Sequence, residues 1–402
     1  MNRVVVTGIG VVSPVGFTLD EFWSALAAGR SGIGPITIVP LDRLKVTIAG
    51  EVTKFDPLQH FEAKRLSLLD RVSQFAVVAA RAAVADAHLQ IDEQLALSTA
   101  CVVGTGGGGL STMDEQYTRI YKEGQQRVHP LTVPKLMVNA AASQVSMDLG
   151  IKGPTYVVAT ACASATHAIG QAFQMVRSGS VPIAVAGGTE ACLTEGNIRG
   201  WEALRVLAFD ACRPFSKTRT GLILGEGAAM FVLEPRDRAL ARGAHIHAEI
   251  IGFGASADAA DLTAPDADGA GRAIQAALND ARINAADVDY CNAHGTGTTA
   301  NDRTETVAIR KVFGAHADKL AVSSSKAVLG HSLGAAGALE FAVTALALER
   351  QVIPPTANFE EPDPECNLDV VPNVARSAPL QKAISNSFAF GGLNAVLALA
   401  RA

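Results

Sequence analysis

The sequence predicts an α/β protein built from two copies of one unit, and three observations carry that prediction. Strand-like, β-branched runs alternate with helical patterns along the chain, the pattern of a layered α/β architecture. The two halves echo each other. Val4-Val5-Val6-Thr7-Gly8-Ile9-Gly10 resembles Glu249-Ile250-Ile251-Gly252-Phe253-Gly254, and Cys101-Val102-Val103-Gly104-Thr105-Gly106 resembles Cys291-Asn292-Ala293-His294-Gly295-Thr296-Gly297. In each half, finally, a strand leads into a helix that is apolar nearly all round, which predicts burial on every side.

Taken in order, Val4 to Thr7 reads as a strand. Asp20 to Ala28 reads as a helix, N-capped at Asp20 and ended by Gly29. Asp70 to His88 carries an apolar stripe of helical period, Val72, Phe75, Ala76, Ala79 and Ala83. Tyr156 to Ala159 is a strand feeding the apolar helix Ala163 to Val176. Gly153 to Val176 holds no charged residue, yet Thr160, Ser164, His167, Gln171 and Gln174 interrupt it too often for a membrane span. Ala228 to Leu233 and Ile246 to Phe253 are strand-like runs on either side of the charged stretch Glu234 to Gly243. That stretch sets the expected boundary between halves 1–243 and 244–402. Leu320 to Ser323 then leads through a loop into the second apolar helix, Ala335 to Leu348.

Composition narrows the function. Of 402 residues, 49% are hydrophobic and 18% charged, which provides a large core and excludes a disordered chain. Lys plus Arg number 34 against 39 Asp plus Glu, a net charge of −5, and aromatics are 5%. The basic excess of a nucleic-acid binder is absent, and the low aromatic content disfavours base-stacking platforms. Six cysteines without a C-x-x-C pair argue against a disulfide framework, a redox motif or a zinc knuckle; no metal site is expected. The strand-like start and the absence of a spanning helix pattern predict a soluble, cytoplasmic protein.

Three segments carry candidate chemistry. Cys162, in Thr160-Ala161-Cys162-Ala163-Ser164, follows a strand and opens a helix, where the helix partial charge favours thiolate and free N–H groups suit an oxyanion. A small buried core cysteine is the ordinary alternative. His294 lies at a strand end before glycine-rich backbone, placed either to reach a ligand or to hold structure. His331 lies on the loop entering the second apolar helix, with Lys326 close by in sequence. Gly330-His331-Ser332-Leu333-Gly334 matches G-x-S-x-G, but no histidine follows Ser332, so the chain order of a hydrolase triad is ruled out. The glycine runs at 8–10 and 104–109 lack the remainder of a nucleotide fingerprint and read as close packing. Asp302 and Glu305 read as holding a loop rather than a metal, and Cys291 with His294 alone is not a zinc site.

Together these residues resemble the β-ketoacyl-acyl carrier protein synthases of the thiolase superfamily, most closely the synthase II branch. Further matches run along nearly the whole chain: Gly150-Ile151-Lys152-Gly153-Pro154, Ala186-Gly187-Gly188-Thr189-Glu190, Arg213-Pro214-Phe215-Ser216, Gly225-Glu226-Gly227-Ala228 and Asn386-Ser387-Phe388-Ala389-Phe390-Gly391-Gly392-Leu393-Asn394. The resemblance implies a thiolase-like, duplicated, five-layered αβαβα fold. It also implies an acyltransferase that condenses an acyl chain with malonyl-acyl carrier protein in fatty-acid elongation. It casts Cys162 as nucleophile, His294 and His331 as the catalytic histidines, Lys326 and Glu340 as the accompanying lysine and acid, and Phe390 with Phe388 as oxyanion and gating residues. Thr296 and Thr298 match positions that touch pantetheine. The implied partners are an acyl carrier protein, docking near Lys64, Arg65, Arg127 and Arg205, and a second copy of the chain. The only cofactor implied is the carrier's own phosphopantetheine.

Departures from the branch bear on the substrate. Ala389 stands where glycine is common in the gating loop, which predicts a different swing; Leu393 replaces threonine. Thr220 and Leu222 stand where Asp and Phe are frequent. Gly107 replaces a larger apolar residue of the acyl tunnel and predicts extra room there. The Phe-Ala-Phe-Gly-Gly-Leu-Asn ending also resembles nodulation protein E, so a dedicated synthase making an unusual acyl chain is the second expectation. A non-catalytic partner subunit is the third, disfavoured by the intact Cys-His-His set.

Overall fold

The computed structural model describes residues 1–402 and joins ten strands into one sheet. They are β1 (Val4–Val12), β2 (Ala100–Gly104), β3 (Thr155–Val158), β4 (Ala184–Glu190), β5 (Gly227–Pro235), β6 (Ala248–Ala257), β7 (Tyr290–Asn292), β8 (Ala321–Ser323), β9 (Lys382–Ala389) and β10 (Leu393–Ala400). From the centre outward one side runs β1-β5-β4-β2-β3 and the other β6-β10-β9-β7-β8. Each strand thus has a counterpart five places later. The pairings repeat too: two antiparallel and then two parallel on each side. The echo in sequence is a duplication in topology. The halves meet where β1 pairs antiparallel with β6, Val4 to Val6 opposite Ile250 to Ala248.

The main helices are α1 (Leu19–Ala27), α2 (Arg71–Asp86), α3 (Leu110–Tyr121), α4 (Ala140–Leu149), α5 (Ser164–Ser178), α6 (Glu195–Leu204), α7 (Ala267–Ala281), α8 (Thr299–Phe313) and α9 (Ala336–Arg350). Strand periodicity sorts them into layers. In β2, Val102 faces the cluster that includes Ile169 and Phe173 of α5 and Phe341 of α9, whereas Cys101 and Val103 face the cluster of Phe75 and Ala79 of α2 and Val145 of α4. In the second half Ile384 and Val396 pack with Ile274 of α7 and Ile309 of α8, while Leu397 and Leu399 join the α5/α9 cluster. Five layers result: α2/α4, half-sheet, α5/α9, half-sheet, α7/α8.

Glycines let the layers close. A Cβ at Gly8 would stand 2.1 Å from the carbonyl oxygen of Ala83, and one at Gly10 2.0 Å from that of Ala79. The first glycine run therefore serves helix–strand contact, not phosphate. No helix is long and apolar enough to cross a membrane.

Two expectations are corrected. The first helix is capped by Thr18, not Asp20: Thr18 accepts from the Glu21 N–H and the Glu21 side chain returns to the Thr18 N–H, a reciprocal capping box. The α5 helix is not buried all round. His167, Gln174 and Met175 are half-buried, and Gln171 and Ser178 exposed, because α5 overhangs β3, an edge strand whose Tyr156 is itself exposed. By contrast α9 is buried from Ala336 to Leu348.

Candidate active site

Cys162 sits in a one-turn 3-10 segment, Ala161–Ala163, between β3 and α5. Ala161 has φ 48°. The turn is pinned by Ser164, whose Oγ accepts from the Thr160 N–H at 2.8 Å and donates to the Ala161 carbonyl at 2.7 Å. The second half repeats the device, with Leu333 at φ 45° in the 3-10 segment Leu333–Ala335 ahead of α9. His294 follows β7 on backbone held by carboxylates. Glu305 accepts from the N–H of His294 and of Gly295, each at 2.8 Å, and Asp302 from those of Phe215 and Gly297 at 2.7 and 3.2 Å. Asp302 and Glu305 thus hold the loop, as the sequence suggested.

These turns bring Cys162, His294 and His331 to one cavity of about 360 Å³, together with Thr296, Thr298, Phe388 and Phe390. The two imidazoles stand edge to face, centroids 5.3 Å apart at 82°. Lys326, 1% exposed, lies behind His294. Its ammonium donates to the His294 carbonyl at 2.6 Å, to Nδ1 at 3.3 Å, and to the Glu340 carboxylate. With Nδ1 accepting from an ammonium, the ring proton of neutral His294 belongs on Nε2. Burial, then the Lys326 charge, then His331 hold the His294 pKa well below its ordinary 6.5, and burial with Lys326 does the same for His331. Burial pushes Glu340 up to about 7 against the opposing pull of Lys326.

The thiol corrects one expectation. Burial pushes Cys162 up to about 12; Lys326 pulls it down, while Glu190 and Glu340 push it further up. Desolvation outweighs the helix terminus, so the resting group is a thiol beside two neutral bases rather than a standing thiolate.

The loop expected to gate the cavity is a three-residue turn, Phe390 to Gly392, between β9 and β10. Its left-handed positions are Gly391 and Gly392, at φ 82° and 67°. Ala389 ends β9 in ordinary backbone, so a side chain there carries no left-handed strain. The turn is tied down by Gly391 N–H to Leu262 O, Asp258 N–H to Gly392 O, both 2.8 Å, and Asn394 to Asp258 at 2.6 Å. Phe390 stacks on Trp201, centroids 5.7 Å apart at 20°.

Gly107 does not line the cavity. Leu110 occupies the space it vacates, its Cδ1 2.6 Å from where a Gly107 Cβ would stand, and packs with the Cys162 cluster. The expected extra room is absent because α3 fills it. The Gly106 and Gly107 N–H groups instead donate to Glu190 at 2.7 and 3.1 Å, which also accepts from Gly334 at 2.9 Å. Leu222 lines the cavity; Thr220 is exposed. Of the docking candidates, Arg205 lies at the mouth between the lining residues Leu204 and Val206. Lys64 and Arg127 are exposed and do not line the cavity, and Arg65 is paired with Asp148 at 2.9 Å. Sequence reasoning missed Trp201, Asp258 and Leu262. They lie outside the motifs, and nothing local marks them; Asn394 belonged to a quoted motif.

The arrangement matches known proteins. Residues 1–239 fit the model of the beta-ketoacyl synthase N-terminal domain, and residues 247–360 that of the C-terminal domain. Nodulation protein E of Rhizobium sp. (strain N33) is 48% identical over 397 residues, covering 99% of this chain and 98% of that one. The 3-oxoacyl-[acyl-carrier-protein] synthase 2 of Synechocystis sp. (strain ATCC 27184 / PCC 6803 / Kazusa) is 43% identical over 405 residues, covering 99% and 97%. A solved type II polyketide ketosynthase, in complex with its acyl-carrier protein and bound to the hexaketide, superposes with a TM-score of 0.89 at 33% identity, covering 100% of this chain and 99% of that one.

Proposed function

The chain belongs to the β-ketoacyl synthase family, and on that premise we propose that it extends acyl chains by decarboxylative Claisen condensation with malonyl-acyl carrier protein, as in fatty-acid elongation. The observation that carries the proposal is the convergence of Cys162, His294 and His331 on one cavity, with Lys326 behind. Cys162 Sγ attacks the donor thioester while a neutral imidazole takes its proton, and the carrier thiol leaves. The N–H groups of Cys162 and Phe390 are suited to hold the oxyanion. Malonyl-carrier protein follows. As carbon dioxide departs, the Nε2–H of His294 and the ring of His331 stabilise the enolate oxygen. The carbanion then attacks acyl-Cys162, releasing the thiol and the β-ketoacyl product. Thr296 and Thr298, whose hydroxyls lie 2.9 Å apart on the cavity wall, receive the pantetheine arm. The reaction draws on no cofactor beyond that arm.

An acidic carrier protein needs a positive landing site. Arg205 supplies one charge at the mouth. Along α6, Arg43, Lys122 and Arg199 all lie within 4 Å of the single carboxylate of Glu195, an excess of cations. A homodimer is supported by the half-buried edge strand β3 and the exposed stripe of α5 beside it. Six free cysteines suit a reducing, cytoplasmic setting. Boundaries at 243/244 fit a linker that hands the chain from β5 to β6.

A dedicated synthase of an unusual acyl chain is the second reading, favoured by 48% identity to a nodulation protein E over nearly the whole chain. One experiment addresses both: intact-protein mass after incubation with a panel of acyl-carrier proteins, with Cys162→Ala as control. The expected result is an acyl adduct lost in the control and discharged by malonyl-carrier protein, the best-loaded chain separating the two readings. No adduct from any donor would overturn catalysis and favour a partner-subunit role.

A further inference from the structure

A second cluster of reactive side chains lies apart from the cavity, where the chain passes from the first half to the second. His245 and His247 precede β6, and Glu349 lies in the last turn of α9. Their ligand atoms lie within 4.8 Å of one another. Glu349 presents Oε1 to His245 Nε2 at 3.1 Å and Oε2 to His247 Nδ1 at 2.7 Å. The rings stand at 89° with centroids 4.6 Å apart, so two nitrogens converge on one carboxylate.

The far side of His247 adds an independent observation. Its Nε2 lies 2.8 Å from Asp86 Oδ2, and that oxygen is itself fixed by the Ile9 N–H at 2.8 Å. An imidazole anchored by a carboxylate at one nitrogen, with the other turned to further donors, has the outer-shell arrangement of a metal-binding histidine. His247 is 5% exposed, whereas the His245 side chain is 58% exposed, so the site is rigid behind and open in front.

We propose that His245 Nε2, His247 Nδ1 and the Glu349 carboxylate bind one divalent transition-metal ion of the Zn2+ class, with Asp86 orienting His247 and water in the fourth position. Nitrogen and oxygen donors of this kind suit a tetrahedral ion. Ligand atoms in such a site stand roughly 3.3 Å apart for bonds of about 2.0–2.1 Å; the contacts to Glu349, 3.1 and 2.7 Å, would open slightly and the wider pairs, all within 4.8 Å, would draw in, a movement the exposed His245 side chain can supply. The ion takes the place of the protons shared with Glu349. Two N–H bonds break: the Nδ1 proton of His247 passes to the buffer, its Nε2–H staying on Asp86, and the Nε2 proton of His245 passes through solvent to that ring's own Nδ1 or to the buffer. None of the four residues lines the catalytic cavity. The ion's role is to clamp the linker between α2 of one half and α9 of the other. The sequence concealed the site because Glu349 and Asp86 are more than a hundred residues from the histidines.

The test uses the full, tag-free chain carrying Cys162→Ala, so that the catalytic thiol cannot contribute, stripped by chelator and titrated with Zn2+ alone. Calorimetry is expected to give one equivalent per chain, Zn2+ to raise Tm, and Co2+ to give tetrahedral d–d absorption. His245→Ala and Glu349→Gln should each abolish the Tm rise, and Asp86→Asn should weaken binding about 10–100-fold. The same exposed-side substitution, His245→Ala, placed in the wild-type chain should load acyl groups on Cys162 normally, which separates this site from the catalytic reading. Absence of stoichiometric Zn2+ binding, or binding indifferent to His245→Ala, would overturn the proposal.

Discussion

Ala161 and Leu333 hold the same left-handed backbone, φ 48° and 45°, at the same step of the two halves. Each opens a three-residue 3-10 turn, and each turn opens a 15-residue helix, α5 or α9. Cys162 and Gly334 are therefore counterparts: one turn delivers a thiol to the cavity, the other a bare backbone. Non-glycine residues in this region carry strain of roughly 1–3 kcal/mol, tolerated where the surroundings fix it.

That strain gives a prediction. Ala161→Gly should be close to neutral in stability, because relief of strain offsets a more flexible unfolded chain. Ala161→Val, with a β-branched side chain at positive φ, should lose about 1–3 kcal/mol and acylate slowly. Urea unfolding and adduct formation would check both.

Burial of the thiol predicts its reactivity. Alkylation of Cys162 by iodoacetamide should be slow at neutral pH and climb without a plateau through the ordinary thiol range, since the pKa is pushed up to about 12. Only the thiolate reacts. A plateau near neutrality would show that the helix terminus overcomes desolvation.

The buried histidines set the acid limb. Both stay neutral below the ordinary 6.5, so the malonyl decarboxylation rate should remain flat as pH falls through that value. Stability should not remain flat. The unfolded chain takes up protons on these histidines below 6.5 while the folded chain does not, so folding weakens as pH falls, by up to about 1.4 kcal/mol per unit for each. Paired pH–rate and pH–Tm curves would test the two signs.

Lys326 and Glu340 form a buried pair, each about 2% exposed. Lys326→Met strands a carboxylate and should cost roughly 3–5 kcal/mol above neutral pH. Adding Glu340→Gln should restore much of the stability but not activity, because His294 still lacks the donor at Nδ1. A double-mutant cycle in Tm and turnover would separate the two effects.

The stack of Trp201 on Phe390 gives an optical handle. The chain has two tryptophans, and Trp23 is buried near Arg350. Acylation that swings Phe390 away should change Trp201 emission, and Trp201→Phe should remove the change. Trp201→Ala forfeits about 0.5–1.5 kcal/mol of aromatic contact and should favour the open loop.

Much of this architecture was legible in the chain because it rests on periodicity and small residues. The stripe of α2 and the glycines at 8 and 10 each record a packing contact locally. The candidate set was legible because strand ends and helix starts mark Cys162, His294 and His331 as able to reach a cavity, and the family resemblance joined the three. What was hidden depends on long-range filling or charge. Leu110 closes the space beside Gly107, desolvation raises the Cys162 thiol, and Trp201 reaches Phe390 from α6. None of these follows from neighbours in sequence.

The pairing of Cys162 with Gly334 has a consequence for descent. A Cβ at Gly334 would stand 2.2 Å from the Gly106 nitrogen and 2.5 Å from Glu190 Oε2. The duplicate turn has been closed around its own lack of a side chain by the carboxylate that also gathers Gly106 and Gly107. Once that happened, the two copies ceased to be interchangeable. A nucleophilic side chain at Gly334 would collide with that backbone and carboxylate, so at this step the symmetry survives in the backbone and not in the side chains.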